Sequence, residues 1–197
     1  MEPIEDLLAL AETAHGHLCA GQILGVRMAM LGCRRLGIDE PRGRDRKRLV
    51  TFVEIDRCAT DAIGVVTGCR LGKRALKFRD WGKMAATFID IPSDRAIRIA
   101  ARESSKELAH ALHPEIENRN QQQMLAYREL SDADLFSEEW VRVTLPAKEF
   151  PGYKGDRLVC AKCGEGINYD RFVERGGQRL CQACANPDER YYQPLGE

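Results

Sequence analysis

The sequence predicts an α+β core domain followed by a small module that needs a metal to fold. Three observations support this prediction. Helical and strand periods are mixed without regular alternation, which is typical of α+β domains. A proline- and glycine-rich linker, residues 148–157, ends the periodic apolar pattern. Two CxxC pairs follow the linker. We therefore expect a core domain over residues 1–147 and a four-cysteine zinc ribbon over residues 158–197.

The elements of the core follow from hydrophobic periodicity. Helical spacing predicts a first helix ending near Thr13 and a second helix running to Leu36. A mostly apolar, β-rich run at 49–56 predicts a buried strand, and a short helix begins just after it at Cys58. The glutamine run 121–123 predicts a solvated helical face. The remaining predicted strands are 75–81, 85–91, 96–101 and 138–145, and the remaining predicted helices are 104–112 and 116–130.

Composition excludes several classes of protein. Lysine plus arginine equals aspartate plus glutamate at 30 each, so the chain lacks the bulk basic field of a nucleic-acid binder. No apolar run approaches the roughly 20 residues that span a membrane. The N-terminal segment is acidic, unlike a signal peptide. We expect a cytoplasmic protein whose eight cysteines are metal ligands, catalytic thiols or buried small residues rather than disulfides.

The most specific motif is a pair of cysteine knuckles near the C-terminus. Cys160 and Cys163 are separated by seventeen residues from Cys181 and Cys184. A CxxC turn directs two thiolates to one side, and two such turns close a tetrahedral Zn²⁺ site with bonds of about 2.3 Å. The glycine pair 176–177 predicts a hairpin turn between the knuckles. Because so short a module buries little apolar surface, this zinc would be structural. The segment resembles the DksA/TraR-like four-cysteine zinc fingers.

A second group of metal-ligand side chains lies in the segment HGHLCAGQILGVR, residues 15–27. His17 and Cys19 are two residues apart on a predicted loop, so both can face one ion. Cys58 opens a helix after a buried strand, where the helix dipole favours a thiolate. These three side chains would bind zinc or another divalent metal and leave the fourth position open, as in catalytic or substrate-binding sites.

Other residues are candidates for roles around this core metal. Asp61 lies one turn into the helix that begins at the third ligand, and is a candidate general base. Lys83 is a candidate for stabilising negative charge, and Lys83 and Arg27 are possible counter-charges for an anionic ligand. His15 and Cys69 are open cases. His15 either binds the metal or orders the loop, and Cys69 either binds the metal or is a small buried residue.

Together these motifs resemble the FmdE family of formylmethanofuran dehydrogenase proteins over most of residues 15–90. The family features are an HGHxCxG loop, a CxxDAI helix start followed by TGC, and a DxGK turn. Ala20 stands where many relatives have proline, a change that removes no ligand. The matching positions are His15, His17, Cys19, Gly21, Cys58, Asp61, Ala62, Ile63, Cys69, Asp80, Gly82 and Lys83.

The resemblance implies an α+β core, a homodimer and a metal near the His–Cys loop. It does not imply dehydrogenase activity, since the chain has no ferredoxin-type cysteine runs. We expect a metal-binding protein accessory to molybdenum or tungsten enzymes, with a partner enzyme or a small anionic ligand beside the core metal. Two alternatives stay open. One is a zinc-dependent enzyme acting on a small anionic ligand, with Asp61 and Lys83 as catalytic residues. The other is a zinc-ribbon transcriptional regulator.

Overall fold

The computed structural model describes residues 1–193 and 195, and the chain divides into two compact units. The core unit is Met1–Thr144 and the ribbon unit is Leu145–Glu197. No helix among the described residues is long and apolar enough to cross a membrane. The elements of the core unit are α1 (Ile4–His15), α2 (Ala20–Leu36), β1 (Leu49–Val53), α3 (Cys58–Thr67), β2 (Leu76–Phe78), β3 (Ala85–Asp90), β4 (Arg95–Ala101), α4 (Ser104–Leu112), α5 (Arg119–Glu129), α6 (Asp132–Leu135) and β5 (Phe136–Val141).

A five-stranded mixed sheet with the order β2-β1-β3-β4-β5 forms the frame of the core unit. β1 pairs in parallel with β2, and every other neighbouring pair is antiparallel. The central strand β3 is buried along its whole length, which explains its mostly apolar sequence. Phe88 lies opposite Thr51 on one side and Ile97 on the other. Helices and a mostly antiparallel sheet in one unit confirm the α+β class.

Helix α2 is the centre of the core unit. It packs against α1, α3, α5 and the strands β3 and β4, and most of its residues are buried. Two glycines allow this close packing. A Cβ atom on Gly25 would lie 2.5 Å from the carbonyl oxygen of Ala59, and one on Gly32 would lie 2.4 Å from the ring of Phe88. Real Cβ atoms essentially never approach within 3.0 Å, so only glycine lets α3 and β3 come this near.

The connection between α1 and α2 is short and holds the His–Cys motif. Helix α1 continues to His15, two residues beyond the predicted end near Thr13. It stops at Gly16, whose φ of 94° is in the left-handed region that favours glycine. Cys19 is the extended N-cap residue of α2. His17 therefore lies on a tight turn between two helix ends.

The glutamine run 121–123 is not fully solvated, contrary to the prediction from the sequence. Gln122, on α5, is buried against the end of α4. Its Nε2 atom donates to the carbonyl oxygen of His113 at 2.8 Å and lies 3.1 Å from Nδ1 of His110. The side chain satisfies backbone groups at the end of α4, which only the tertiary arrangement brings near it.

The ribbon unit contains two small antiparallel sheets. β6 (Leu158–Val159) pairs with β7 (Gly166–Ile167), and β8 (Val173–Arg175) pairs with β9 (Gln178–Leu180). The β8–β9 hairpin turns at Gly176 and Gly177, whose φ angles are 55° and 74°. The short helix α7 (Gln182–Ala185) follows. The buried apolar cluster is small, which is typical of modules that a bound metal stabilises.

Candidate metal centres

Four thiols converge in the ribbon unit. The Sγ atoms of Cys160, Cys163, Cys181 and Cys184 all lie within 4.8 Å of one another. The Sγ atoms of Cys163 and Cys181 are 3.9 Å apart. Bonds of about 2.3 Å to a tetrahedral zinc ion require sulfur–sulfur distances of about 3.8 Å. Donor type, number and spacing therefore fit a structural zinc ion.

Backbone N–H groups favour the thiolate form in this cluster. Cys181 donates its N–H to Sγ of Cys160 at 3.3 Å, and Cys184 donates its N–H to Sγ of Cys181 at 3.4 Å. Backbone hydrogen bonds from Cys163 and Cys181 lower the pKa of Cys160 to about 6. Arg190 places a guanidinium N–H 3.4 Å from Sγ of Cys184. The ribbon thus supplies both the ligands and groups that offset their negative charge.

In the core unit the structure brings His15, His17 and Cys19 together. One ligand atom from each lies within 4.8 Å of the others. The ring centroids of the two histidines are also 4.8 Å apart. We call these three residues the core cluster. It contains the predicted pair His17 and Cys19, together with His15, which the sequence left open.

Cys58 lies beside the core cluster, next to Cys19. Burial raises the pKa of the Cys58 thiol, and so does its hydrogen bond to the Cys19 thiol. A Cβ atom on Gly21 would lie 3.3 Å from Cβ of Cys58 and 3.8 Å from Sγ of Cys19. The starts of α2 and α3 therefore meet at the two cysteines. Cys58 contacts Cys19 without belonging to the group whose ligand atoms all lie within 4.8 Å.

The position of the two cysteines suits metal-binding thiolates. Cys19 is the N-cap residue of the 17-residue helix α2, and Cys58 is the first residue of the 10-residue helix α3. The N-terminal ends of both helices have partial positive charge, which favours nearby anions such as thiolates. Imidazole and thiolate are the donor set that zinc accepts. The residues present therefore fit a zinc ion or a similar divalent metal.

Asp61 reaches the core cluster through His15. Nδ1 of His15 lies 2.9 Å from Oδ2 of Asp61, and the Asp61 side chain is 59% exposed. When Nδ1–H donates to the carboxylate, the lone pair of Nε2 is available to a metal, an arrangement common behind metal-binding histidines. Asp61, the predicted general base, therefore contacts and orients His15, a potential metal ligand.

Lys83 lies on the turn between β2 and β3. Its backbone N–H donates to the carbonyl oxygen of Glu54, four residues before Cys58. Its ammonium group lies 6.0 Å from the ring centroid of Trp81. Within residues 1–144, no described contact joins this ammonium group to the core cluster, so its predicted catalytic role stays a prediction.

Two other candidates have structural contacts. The guanidinium of Arg27 donates to the carbonyl oxygen of Tyr127 at 2.8 Å and to the carboxylate of Asp132 at 2.7 Å. Arg27 therefore joins α2 to the α5–α6 segment, and its role as a counter-charge for an anionic ligand stays a prediction. Cys69 is 3% exposed, and its sulfur accepts from the hydroxyl of Thr51 at 3.6 Å. Burial raises the pKa of Cys69, which is a core thiol outside the cluster.

Gln22 was not predicted from the sequence as part of the site. This residue is fully buried on α2, and its Nε2 atom donates to the carbonyl oxygen of Cys58 at 3.2 Å. It therefore connects the starts of the two helices that present Cys19 and Cys58. The available signal was a single amide side chain in the otherwise apolar and glycine-containing run that follows Cys19.

Comparison with known families agrees with this architecture. Residues 14–137, more than half of the chain, match the family profile described as FmdE, molybdenum formylmethanofuran dehydrogenase operon. The chain belongs to the FmdE family. Residues 153–190 of this FmdE-family protein match the prokaryotic dksA/traR C4-type zinc finger. Both resemblances predicted from the sequence are therefore confirmed.

Two individual proteins are similar to this FmdE-family chain. A probable S-adenosyl-L-methionine-binding protein from Archaeoglobus fulgidus is 32% identical over 215 aligned positions, which cover 96% of this chain and 54% of that protein. The chain thus spans about half the length of this curated relative. A crystal structure of a tungsten formylmethanofuran dehydrogenase FmdE-like protein from Syntrophus aciditrophicus has a TM-score of 0.64 and 20% identity. That similarity covers 95% of this chain and 94% of the other, and it supports the fold.

Proposed function

We propose that this FmdE-family protein binds a divalent metal ion in its core unit and a structural zinc ion in its ribbon unit. The ligands proposed for the core ion are His17, Cys19 and Cys58. His15 belongs to the core cluster and is a further donor, whereas Cys58 lies outside that cluster and adjoins it at Cys19. Three protein ligands leave one position open in a tetrahedral ion, and four leave one open in a five-coordinate ion. The convergence of the core cluster within 4.8 Å is the observation that best supports this site.

The proposed role of the core ion is accessory to a molybdenum or tungsten enzyme. Membership of the FmdE family supports this role, as does the similar fold of the tungsten-enzyme FmdE-like protein. A partner enzyme or a small anionic ligand would bind beside the ion, where the N-termini of α2 and α3 favour negative charge. We further propose a cytoplasmic homodimer that binds neither nucleic acid nor membranes.

A second candidate function is a zinc-dependent enzyme that acts on a small anionic substrate. The observation that favours it is the contact between His15 and Asp61, because a carboxylate partner orients a ligating imidazole and raises its basicity. A bound ion would supply Lewis acidity and lower the pKa of a coordinated water. Asp61 and Lys83 remain the residues proposed for proton transfer and charge stabilisation.

Metal content of purified full-length protein tests the core site. Elemental analysis by inductively coupled plasma mass spectrometry should find two metal equivalents per chain. We expect His17→Ala to lose one of them. Cys163→Ser should lose the other equivalent. The matched control is His110→Ala, which removes an imidazole that contacts Gln122 outside the core cluster. Two equivalents in His17→Ala would show that the core assignment is wrong.

The accessory role needs a cellular test. In cells that lack this gene, we expect the activity and metal content of a molybdenum or tungsten dehydrogenase to fall. Expression of the wild-type chain should restore both, and expression of His17→Ala should not. Equal enzyme activity with and without the gene would contradict the accessory role and leave the metal site unaffected.

A further inference from the structure

Among the described residues, the Nε2 atom of Gln22 has a hydrogen-bond partner and its Oε1 atom has none. The residue is 0% exposed, on a helix whose other buried residues are apolar or glycine. Its Nε2 atom donates to the carbonyl oxygen of Cys58. Because a carbonyl oxygen can only accept, this contact fixes the orientation of the amide. Oε1 therefore faces away from that carbonyl group.

The Oε1 atom of Gln22 is buried and has no hydrogen-bond partner in the part of the chain that the structure describes. Leaving a buried acceptor unpaired is destabilising, and native proteins nearly always provide a donor. Acceptance of a hydrogen bond is the interaction that an amide oxygen can make here. A donor from outside the chain, such as a water molecule or a bound ligand, would satisfy this atom.

The position of Gln22 indicates where that donor comes from. Cys19 is the N-cap residue of α2 and Gln22 is its third helical residue, two positions whose side chains lie near each other at the start of a helix. Cys58 adjoins both of them, because its carbonyl oxygen accepts from the amide and its side chain lies beside Gly21 together with the Cys19 thiol. The amide of Gln22 thus adjoins two of the proposed metal ligands.

We propose that Oε1 of Gln22 accepts a hydrogen bond from the exchangeable ligand of the core metal, while Nε2 positions Cys58. This inference rests on the proposed function, since it requires an ion at His17, Cys19 and Cys58. It also defines the chemical class of ligand for the open position. Water, a hydroxyl or an amine brings its own donor to Gln22, whereas a pure acceptor such as azide does not.

Cobalt substitution gives a direct test. Co²⁺ would be added to full-length protein whose ribbon retains zinc, and its visible absorption would be followed during metal and azide titrations. We expect Gln22→Met to weaken Co²⁺ binding about 10- to 100-fold, as is typical for loss of a residue that holds a metal ligand. We also expect Gln22→Met to bind azide about two- to tenfold more tightly than wild type, because the displaced water no longer gives up a hydrogen bond to Oε1.

Two further variants separate this role from a purely structural one. Gln122→Met removes another buried glutamine, on α5 and outside the core cluster, and should change neither titration. Gln22→Glu keeps an acceptor oxygen and adds negative charge, so it should bind azide more weakly than wild type. If Gln22→Met does not fold, azide binding by Gln22→Glu still tests the role of Oε1.

The outcomes distinguish this inference from the function on which it rests. Unchanged or weaker azide binding in Gln22→Met, with the core Co²⁺ spectrum intact, would overturn the role of Gln22 and leave the metal site standing. Failure of the wild-type core to bind Co²⁺ at all would overturn both. Tighter azide binding in Gln22→Met together with weaker azide binding in Gln22→Glu would support the proposal.

Discussion

Nδ1 of His15 lies 2.9 Å from Oδ2 of Asp61, although the two residues are 46 positions apart in the chain. The contact joins the last residue of α1 to the first turn of α3. It therefore links the segment that holds His17 and Cys19 to the helix that begins at Cys58. The carboxylate holds one ring nitrogen of His15 and leaves the other available for a metal.

Loss of this carboxylate should weaken the core metal site. We expect Asp61→Asn to lower the affinity of the core for Zn²⁺ about 10- to 100-fold, because His15 loses its charged partner. Competition with a chromophoric chelator measures the change. Asp6→Asn is the control, since Asp6 is an exposed acidic residue in the first turn of α1. Equal affinities for Asp61→Asn and wild type would exclude a metal-supporting role for this contact.

The packing of α2 on α3 should depend on Gly25. A Cβ atom there would lie 2.5 Å from the carbonyl oxygen of Ala59 and 2.8 Å from Cβ of Ala62. We expect Gly25→Ala to lower the free energy of unfolding by about 1–3 kcal/mol, the usual cost of overpacking. It should also weaken core metal binding, because it separates Cys19 from Cys58. Urea denaturation measures the first effect.

The control for Gly25→Ala is Gly72→Ala. A Cβ atom on Gly72 would meet open space, so its effect on stability should stay within about 0.5 kcal/mol. If both variants have the wild-type denaturation midpoint, the close approach of α2 and α3 does not limit stability.

Stability at alkaline pH should depend on Cys33. Burial raises the pKa of this fully buried thiol from 9.0 to about 12. The folded state therefore holds the thiol proton more tightly than the unfolded state. The resulting stability is fully present below pH 9 and is lost as the pH rises from 9 towards 12.

The contribution of this thiol is isolated by comparing how the free energy of unfolding changes with pH in wild type and in Cys33→Ala. Between pH 9 and 12, the free energy of unfolding of wild type should fall more steeply than that of Cys33→Ala. The difference can reach about 1.4 kcal/mol per pH unit, the value for one proton. Urea denaturation at closely spaced pH values measures both curves. Parallel curves would contradict the raised pKa of Cys33.

Removal of zinc should unfold the ribbon unit and leave the core unit folded. Four thiolates hold the ribbon together around a small apolar cluster, whereas the core unit has an extensive buried core of its own. We expect Cys163→Ser to make sites within residues 145–197 sensitive to protease while residues 1–144 stay resistant. Limited proteolysis followed by mass spectrometry measures this difference.

His17→Ala is the matched comparison for the ribbon. It removes a proposed ligand of the core metal and retains all four ribbon cysteines, so residues 145–197 should stay protected. Protease resistance of the ribbon unit in Cys163→Ser would show that its fold does not depend on the metal.

The sequence predicted most of the local structure. Hydrophobic periods located helices α1 to α5 but not the short α6, and apolar runs located the five strands, although β5 begins two residues before its predicted start and ends four residues before its predicted end. The first helix continued to His15 rather than ending near Thr13, because Gly16 provides the helix end. The four-cysteine cluster of the ribbon was also predictable, since each CxxC pair forms within one short turn and two such pairs are typical of a zinc ribbon.

The core cluster was only partly predictable. His17 and Cys19 are close in the chain, and the structure keeps them together. The contact between Cys58 and Cys19 and the buried position of Gln22 depend on how α2 packs against α3, and the orientation of His15 depends on its contact with Asp61 on α3. Arg27 and Cys69 show the same limit, because their partners Asp132 and Thr51 come from distant segments.

By itself, the sequence determined the α+β class, the four cysteines of the ribbon and the family, because these depend on residue type, local period and short spacing. Only the tertiary structure decided which side chains meet in the core unit. Contacts between residues 36 to 105 positions apart, such as Gln22 with Cys58 and Arg27 with Asp132, depend on helix packing that glycine permits at two points. Close packing brings these groups together, and no local pattern in the chain encodes that packing.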